Sequence, residues 1–563
     1  MELKRFSDTF SVSGQLRVED LPALHAAGVR HLIGNRPEQE APDQPSFAEL
    51  REAAEQLGME LHALPVVHDN INSAQVRAFD TLIQALDGPV HAFCRSGLRS
   101  ATLWSLSQVK HGAAAEVVAE KATSLGFDFK SFPTRFAGVI EELKDTFDAV
   151  PVRAHCPILV IGAGAGGISV AASILKRDKL ARITLVDPAD THYYQPGFTM
   201  VGGGVFSLES TRRTMQSLIP RGTTWIRAAV THFLPEKNQV MLSDGSKLTY
   251  DRLVVCAGLK LNWDAVEGLT ETLGKNGVTS NYRPDLSAYT WELVRSCKAG
   301  KAVFTQPPMP IKCAGAPQKA LYLSADHWLR EGVLDKVQID FFNAGGVLFG
   351  VKDYVPALQS YIDKYRANVH YMHNLIKVDG AAKVATFAST GLDGQAVNTE
   401  VAFDMLHVVP PQSAPDFIRQ SPLADLAGWM DVDPATLRHR CFSNVWGLGD
   451  IINTTNAKTA AAVRKQAPIV ANNLLADLHG GGTLYAYEGY GACPLTVERG
   501  KVVLAEFAYG GRLQPSLPAW LLEGTKPTSQ AWFLKATFLP WLYWNLMLKG
   551  HEPLAAPVLE YRS

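Results

Sequence analysis

Cys94 closes an apolar run at residues 89–93 and is followed by Arg95-Ser96-Gly97-Leu98-Arg99-Ser100, then by a helical pattern from Ala101. A thiol between a strand end and a helix N-terminus, beside two arginines, meets backbone N–H groups and positive charge that stabilise its thiolate. The same nest of N–H groups, with Arg99, binds an oxyanion such as phosphate, sulfite or thiosulfate. The competing reading of Cys94 is a buried cysteine at a strand end. A second constellation is built of glycine. The apolar residues 158–161 precede Gly162-Ala163-Gly164-Ala165-Gly166-Gly167, and a helical pattern follows over 168–175. Gly162, Gly164 and Gly167 fit GxGxxG between strand and helix, where absent side chains let the backbone approach a pyrophosphate. A second apolar run, 183–186, ends in Asp187, 25 residues after Gly162. An acid at that distance suits a ribose hydroxyl.

The elements that must position these residues form an alternating pattern. Over residues 1–140, apolar runs at 30–34, 61–67 and 89–93 alternate with amphipathic stretches at 20–27, 47–57 and 76–86, which predicts a small α/β domain. Residues 141–156 mix charge with Pro151 and are expected to be a linker. The α/β pattern resumes at 157 and runs to about 510; residues 511–563 turn aromatic. The 563 residues carry 54 Lys+Arg against 55 Asp+Glu, a net charge of −1, with neither a basic surplus nor a basic stripe, which argues against nucleic acid as a partner. The seven cysteines, at 94, 156, 256, 297, 313, 441 and 493, contain no CxxC pair. Neither a disulfide framework nor a structural zinc site is expected, and no metal site is assigned. The opening MELKRFSDTF has no apolar h-region, so the expectation is no signal peptide and a reducing, cytoplasmic setting.

Several strings carry resemblances. Cys94 to Ser100, with Ser11-Val12-Ser13-Gly14-Gln15 and Asn35-Arg36-Pro37, resembles the phosphatase-like domain of β-lactamase-hydrolase-like proteins. Its loop is of the kind shared by cysteine phosphatases and rhodaneses. Phosphatases place five residues between Cys and Arg; here four separate Cys94 from Arg99, which favours a sulfurtransferase. A phosphatase would also need a general acid, for which His68 and Asp69 are the candidates. Further along, Tyr250 to Gly258 and Asn444 to Asp450 look like the returning strands of two-dinucleotide-domain flavoproteins, which implies FAD, with Gly258 near it and Asp450 at its ribityl chain. The segment 337–350 lacks the second GxGxxG that would bind a nicotinamide cofactor.

Cys313 in Pro310-Ile311-Lys312-Cys313-Ala314-Gly315-Ala316-Pro317-Gln318-Lys319 and Cys493 in Gly491-Ala492-Cys493-Pro494-Leu495 would each pass alone for a small buried hydrophobe. With His192-Tyr193-Tyr194-Gln195-Pro196-Gly197, Met405 to Pro411 and Lys458-Thr459-Ala460-Ala461-Ala462, they resemble the mitochondrial-like branch of sulfide:quinone oxidoreductases over about residues 155 to 550. The resemblance implies Cys313 and Cys493 as the redox pair, Cys313 facing the flavin and Cys493 carrying sulfane sulfur. It also implies Gln195 and Lys458 at the cofactor, quinone as electron acceptor, and sulfur release to a thiol, sulfite or similar acceptor. The cysteine that some relatives carry after the Gly-Asp pair is Ile451 here. Cys156, Cys256, Cys297 and Cys441 are expected to be structural.

The uncharged run 536–548 has 13 residues. As a helix it spans about 20 Å against a hydrocarbon core of about 30 Å, so it cannot cross. Pro540 interrupts it, Lys535 and Lys549 flank it, and Trp532, Trp541, Tyr543 and Trp544 suit a headgroup boundary. A peripheral anchor on the inner face of a membrane is the expectation, against a buried C-terminal helix pair. The fold class expected is α/β: a phosphatase-like domain, then a two-Rossmann flavoprotein with a C-terminal interface segment. The function expected is sulfide oxidation with FAD and quinone. The alternatives are an NADH:quinone dehydrogenase-like flavoprotein and a cysteine phosphatase fused to a flavin domain.

Overall fold

The computed structural model describes residues 3–143, 150–391 and 395–557, apart from the side chain of Asp69. Residues 144–149 of the expected linker lie outside the described residues. The chain forms two compact units. The first holds residues up to 155 together with 230–249 and 416–431; the second holds the remainder.

The first unit is built on a five-stranded sheet of β1 (Lys4–Arg5), β2 (Phe10–Ser13), β3 (His31–Gly34), β4 (Glu60–Ala63) and β5 (Val90–Phe93), in the order β1-β2-β5-β3-β4. All are parallel except β1, which pairs antiparallel with β2. Helices α1 (Leu21–Ala26), α2 (Phe47–Gln56), α3 (Ser73–Ala85), α4 (Leu98–Lys110) and α5 (Ala115–Ser124) cover it. Ser46 and Asn72 open α2 and α3, each side chain accepting from the third backbone N–H of its helix. The strand β2 escapes a hydrophobic pattern because its two serines are buried for another reason. Ser11 and Ser13 hydrogen-bond the two ring nitrogens of the buried His91, on the neighbouring β5, at 2.8 and 2.9 Å.

The second unit carries two parallel sheets. In the first, Thr223–Ile226, β7 (Ile183–Val186), β6 (Val152–Ile161), Lys247–Val255 and Val445–Gly447 lie in that order. Gly162 leaves β6 with φ +94°, and Gly164 caps helix α6 (Ala165–Arg177). A Cβ on Gly167 would fall 1.7 Å from the Gly162 carbonyl oxygen, so only glycine permits this strand-to-helix turn. The second sheet orders Val278–Thr279, Met405–His407, Gly300–Gln306, Val337–Asn343 and Asn368–Tyr371, all parallel. Helix Ala316–Arg330 follows its central strand, and a hairpin, Gly491–Glu498 with Lys501–Phe507, packs against that helix.

The C-terminal aromatic stretch is helical from Ser529 to Lys549 but not uniformly so. Its turn at Leu534–Phe538 widens to a π-helix just before Pro540, which has no N–H to offer the carbonyl of Ala536. The segment has two faces. Leu542, Tyr543, Met547 and Leu548 are buried, whereas Phe533, Phe538 and Trp541 (51 % exposed) face outward. Two of the residues expected at a headgroup boundary or beside it turn inward. Tyr543 hydrogen-bonds His192 at 2.6 Å, and Lys535 is 2 % exposed. Among the described residues no helix is long and apolar enough to cross a membrane.

Candidate active site

Cys313 lies in the loop between strand Gly300–Gln306 and helix Ala316–Arg330, three residues before the helix begins. It takes a left-handed backbone, φ +48°, and is pinned by its N–H to the Lys458 carbonyl at 3.0 Å and its carbonyl to the Ala316 N–H at 2.7 Å. Its Sγ stands 3.3 Å from that of Cys493, which the hairpin strand brings up with its partner Ala505. Gly315 makes this approach possible: a Cβ there would sit 2.7 Å from the Cys493 Sγ and 2.5 Å from Leu495.

The two thiols are electrostatically unequal. The hydrogen bond with Cys493, and then the Lys319 ammonium, hold Cys313 well below the usual thiol range. The same hydrogen bond and burial push Cys493 well above it. Lys319, on the first turn of the helix, donates to the Cys313 Sγ at 3.0 Å. Burial and the like charge of Lys319 pull Lys535 down to about 7, against the pull of both cysteines. Lys535 donates to the Pro196 carbonyl at 2.9 Å. Sequence reasoning gave Lys319 no role and placed Lys535 only as a flank of the C-terminal uncharged run. Lys319 could have been found from its place on the first turn after Cys313; Lys535 had no local signal.

A cavity of about 680 Å³ runs past this pair. Gly164, Asp187, Gln195, Gly258, Asp450 and Lys458 line it, as does Cys313. Thus six of the eight residues expected at a cofactor come together around one space, and Gly162 and Gly167 shape the turn beneath it. Asp187 accepts from the backbone N–H of Ala163 at 2.6 Å and of Ala189 at 2.8 Å, tying the glycine loop to the end of β7. Gln195 accepts from the Lys312 ammonium at 2.5 Å, and Lys458 donates to the carbonyls of Asp450 and Ile452 at 2.9 and 2.7 Å. Burial raises the Asp450 carboxyl against the pull of Lys312 and Lys458. Leu517, Leu534, Phe538, Leu542 and Met547 add an apolar part to its lining. Of the four cysteines expected to be structural, Cys256 lines the same cavity. Cys156 and Cys256 are buried, Cys297 is half-buried and Cys441 is exposed.

The residues fit a bound FAD. Gly164 opens on the cavity with no atom within 4 Å of a would-be Cβ, and the N-terminus of α6 points its N–H groups there. Asn281 and Thr199 turn buried polar atoms without protein partners onto the same cavity, as a polar cofactor would require.

In the first unit, Cys94 follows β5 and is 1 % exposed. Gly97, φ +86°, caps α4 and leaves room for the Ser13 carbonyl and Phe127. The Arg95 carbonyl accepts from the Gln15 N–H at 3.3 Å. Arg99 does not lie open: its guanidinium donates to Glu40 at 2.5 Å, and Arg36 donates to the other Glu40 oxygen at 2.7 Å.

Two dinucleotide-type folds around one cavity, with Cys313 of a close cysteine pair in its wall, define a class of flavoprotein oxidoreductase. Comparison with known proteins narrows the class. Residues 156–290 match the family model described as pyridine nucleotide-disulphide oxidoreductase, and residues 2–113 match that of the β-lactamase hydrolase-like protein, phosphatase-like domain. The mitochondrial sulfide:quinone oxidoreductase of Dictyostelium discoideum is 43 % identical over 396 residues, 70 % of this chain and 86 % of that protein. The β-lactamase hydrolase-like protein of Agrobacterium fabrum is 34 % identical over 112 residues, 20 % of this chain and 26 % of that protein. The solved sulfide:quinone oxidoreductase of Aquifex aeolicus shares the fold at a TM-score of 0.61 and 18 % identity, over 71 % of this chain and 92 % of that one. The chain belongs to the sulfide:quinone oxidoreductase family. It is an FAD-dependent enzyme that oxidises sulfide with quinone, and it carries a phosphatase-like domain at its N-terminus.

Proposed function

We propose that Cys313 and Cys493 are the redox pair, with Cys493 carrying the sulfane sulfur. Hydrosulfide attacks Cys493 of the oxidised pair, forming a persulfide there and releasing Cys313 as a thiolate. A thiol or sulfite then takes the outer sulfur, leaving both cysteines reduced; loss of two electrons reforms their bond. FAD held in the cavity would supply the two-electron acceptor for that step and the means of passing the electrons to quinone. Lys319 stabilises the Cys313 thiolate as a leaving group. The observation that carries this reading is the 3.3 Å pair of sulfurs with the Lys319 ammonium 3.0 Å from that of Cys313. Cys313 lines the cavity, which supports its role on the flavin side. Gln195, Gly258, Asp450 and Lys458 hold the cofactor, with Gly162, Gly164, Gly167 and Asp187 at its pyrophosphate and ribose.

Two further assignments belong to the proposal. The segment 511–563 docks peripherally on the inner face of a membrane through Phe533, Phe538 and Trp541, and the apolar part of the cavity receives the quinone. The domain over residues 1–140, joined through 141–156 to the oxidoreductase at 157–510, handles the sulfane sulfur through Cys94. The Glu40 carboxylate on Arg99 and Arg36 supports sulfur over phosphate, because a phosphate dianion would compete with it for Arg99. The name of the matched domain favours phosphate-ester hydrolysis as the second reading. Sulfide turnover without an acceptor, followed by alkylation and peptide mass spectrometry, tests the first step. A Cys493 peptide heavier by one sulfur is expected; persulfide on Cys313 alone would reverse the roles.

A further inference from the structure

A group of donors that sulfide oxidation does not use stands at the edge of the N-terminal sheet. His31 opens β3 and Glu60 opens β4, and the parallel register sets these two residues opposite each other. His62, two residues along β4, falls on the same face as Glu60 because side chains alternate along a strand. Three donor atoms converge. His31 Nδ1 lies 3.6 Å from one Glu60 carboxylate oxygen, and His62 Nε2 lies 3.7 Å from the same oxygen. All three lie within 4.8 Å of one another. A tetrahedral ion with bonds of about 2.0–2.1 Å spaces its ligand atoms about 3.3 Å apart. The observed spacings are close to that and too long for hydrogen bonds.

A second observation points to a ligand. The ring nitrogens His31 Nδ1 and His62 Nε2 are both buried without a hydrogen-bond partner, and His31 is only 7 % exposed. Its other nitrogen, Nε2, lies 3.2 Å from the Asp87 backbone carbonyl, with the Asp87 carboxylate 3.5 Å away. A carbonyl only accepts, so Nε2 carries the proton and the lone pair is left on Nδ1. That is the outer-shell partner a metal-binding histidine commonly has. Arg51 opposes a cation near His62, and the Glu60 and Asp87 carboxylates offset it.

We propose that His31, Glu60 and His62 bind a divalent first-row transition metal of the zinc type, with at least one coordination position open. Two imidazoles and a carboxylate suit such an ion better than calcium or magnesium, which prefer oxygen. The site stands at the N-terminal ends of β3 and β4, whereas Cys94 follows the C-terminal end of β5, whose strand pairs with β3. A four-residue strand separates those ends by about 10 Å or more. The ion therefore pins the edge strand β4 to β3 and takes no part in Cys94 chemistry.

The test is zinc equilibrium dialysis of the full-length flavin-loaded protein, with bound metal counted by mass spectrometry. Wild type would be run beside Glu60→Gln and His62→Gln, with circular dichroism and flavin content as folding checks. Glu60 is 69 % exposed on its side chain, so the isosteric Glu60→Gln should fold even if His62→Gln does not. Zinc held by cysteines is common to all three proteins and cancels. One zinc more per chain in wild type, with affinity at least about tenfold weaker in each folded variant, is the expected result. Equal zinc in wild type and Glu60→Gln, or none in wild type, overturns the proposal.

Discussion

Cys313 has the Lys319 ammonium 3.0 Å from its sulfur and Cys493 hydrogen-bonded beside it, both lowering its pKa, so the charge on that sulfur is the property most open to mutation. An opposite charge at such range lowers an acidic group by about 1–3 pK units. Lys319→Met should therefore raise the Cys313 pKa by about one unit or more. Alkylation of the reduced enzyme across pH should show its acid limb moved upward. An unmoved limb would mean that Cys493 alone sets the thiolate. Lys535 makes a different prediction. Its folded pKa, about 7, is below its ordinary 10.5, so the unfolded chain holds a proton that the folded chain releases between those values. Its contribution to stability rises with pH across that window, and the full penalty applies below about 7. Lys535→Met should accordingly raise the apparent melting temperature most at pH 6 and little at pH 10. Both lysines were invisible to motif reading, because one acts from a helix turn and the other from a segment some two hundred residues on. The cysteines were legible only through the strings around them.

At the scale of elements, the glycine turn and the C-terminal helix are the two devices on which the site depends. The glycine turn was readable locally, since strand, GxGxxG, helix and Asp187 are contiguous signals. With a Cβ 1.7 Å from the Gly162 oxygen, Gly167→Ala should yield protein purified with little or no flavin, as its absorbance at purification will show. The C-terminal helix was only half readable. Its aromatic content marked an apolar face, but which rings turn inward depends on tertiary partners such as His192, which Tyr543 meets. Phe538 and Trp541 remain outside, their rings stacked 5.9 Å apart. Phe533→Asp with Trp541→Asp, at exposed rings that do not line the cavity, should cut sedimentation with anionic vesicles several-fold while leaving activity with a short-chain quinone intact. Undiminished vesicle binding would remove the docking assignment. The strand β2 was missed because its buried serines serve His91 rather than an apolar face.

For the whole molecule, the pairing of a phosphatase-like domain with a sulfide oxidase in one chain is what requires explanation. The alternating pattern announced two α/β parts, and the family strings announced the oxidoreductase. No local pattern reveals that residues 230–249 and 416–431 join the N-terminal unit, because that contact is tertiary. Nor does any motif reveal Glu40 on Arg99, since the two are 59 residues apart in sequence. If Cys94 receives sulfane sulfur, Cys94→Ser should leave flavin reduction by sulfide unchanged and lower sulfur transfer to sulfite or a thiol several-fold. Phosphate-ester hydrolysis lost in the same variant would select the phosphatase reading instead.

The most direct test of the thiol pair is anaerobic mixing with sulfide and excess sulfite, followed by the flavin spectrum and then by addition of a short-chain quinone. Wild-type flavin should bleach and recover with quinone; Cys94→Ser should behave alike, and Cys493→Ser should not bleach. A Cys493→Ser enzyme that bleaches as fast as wild type would contradict the assignment of electron entry to Cys313 and Cys493.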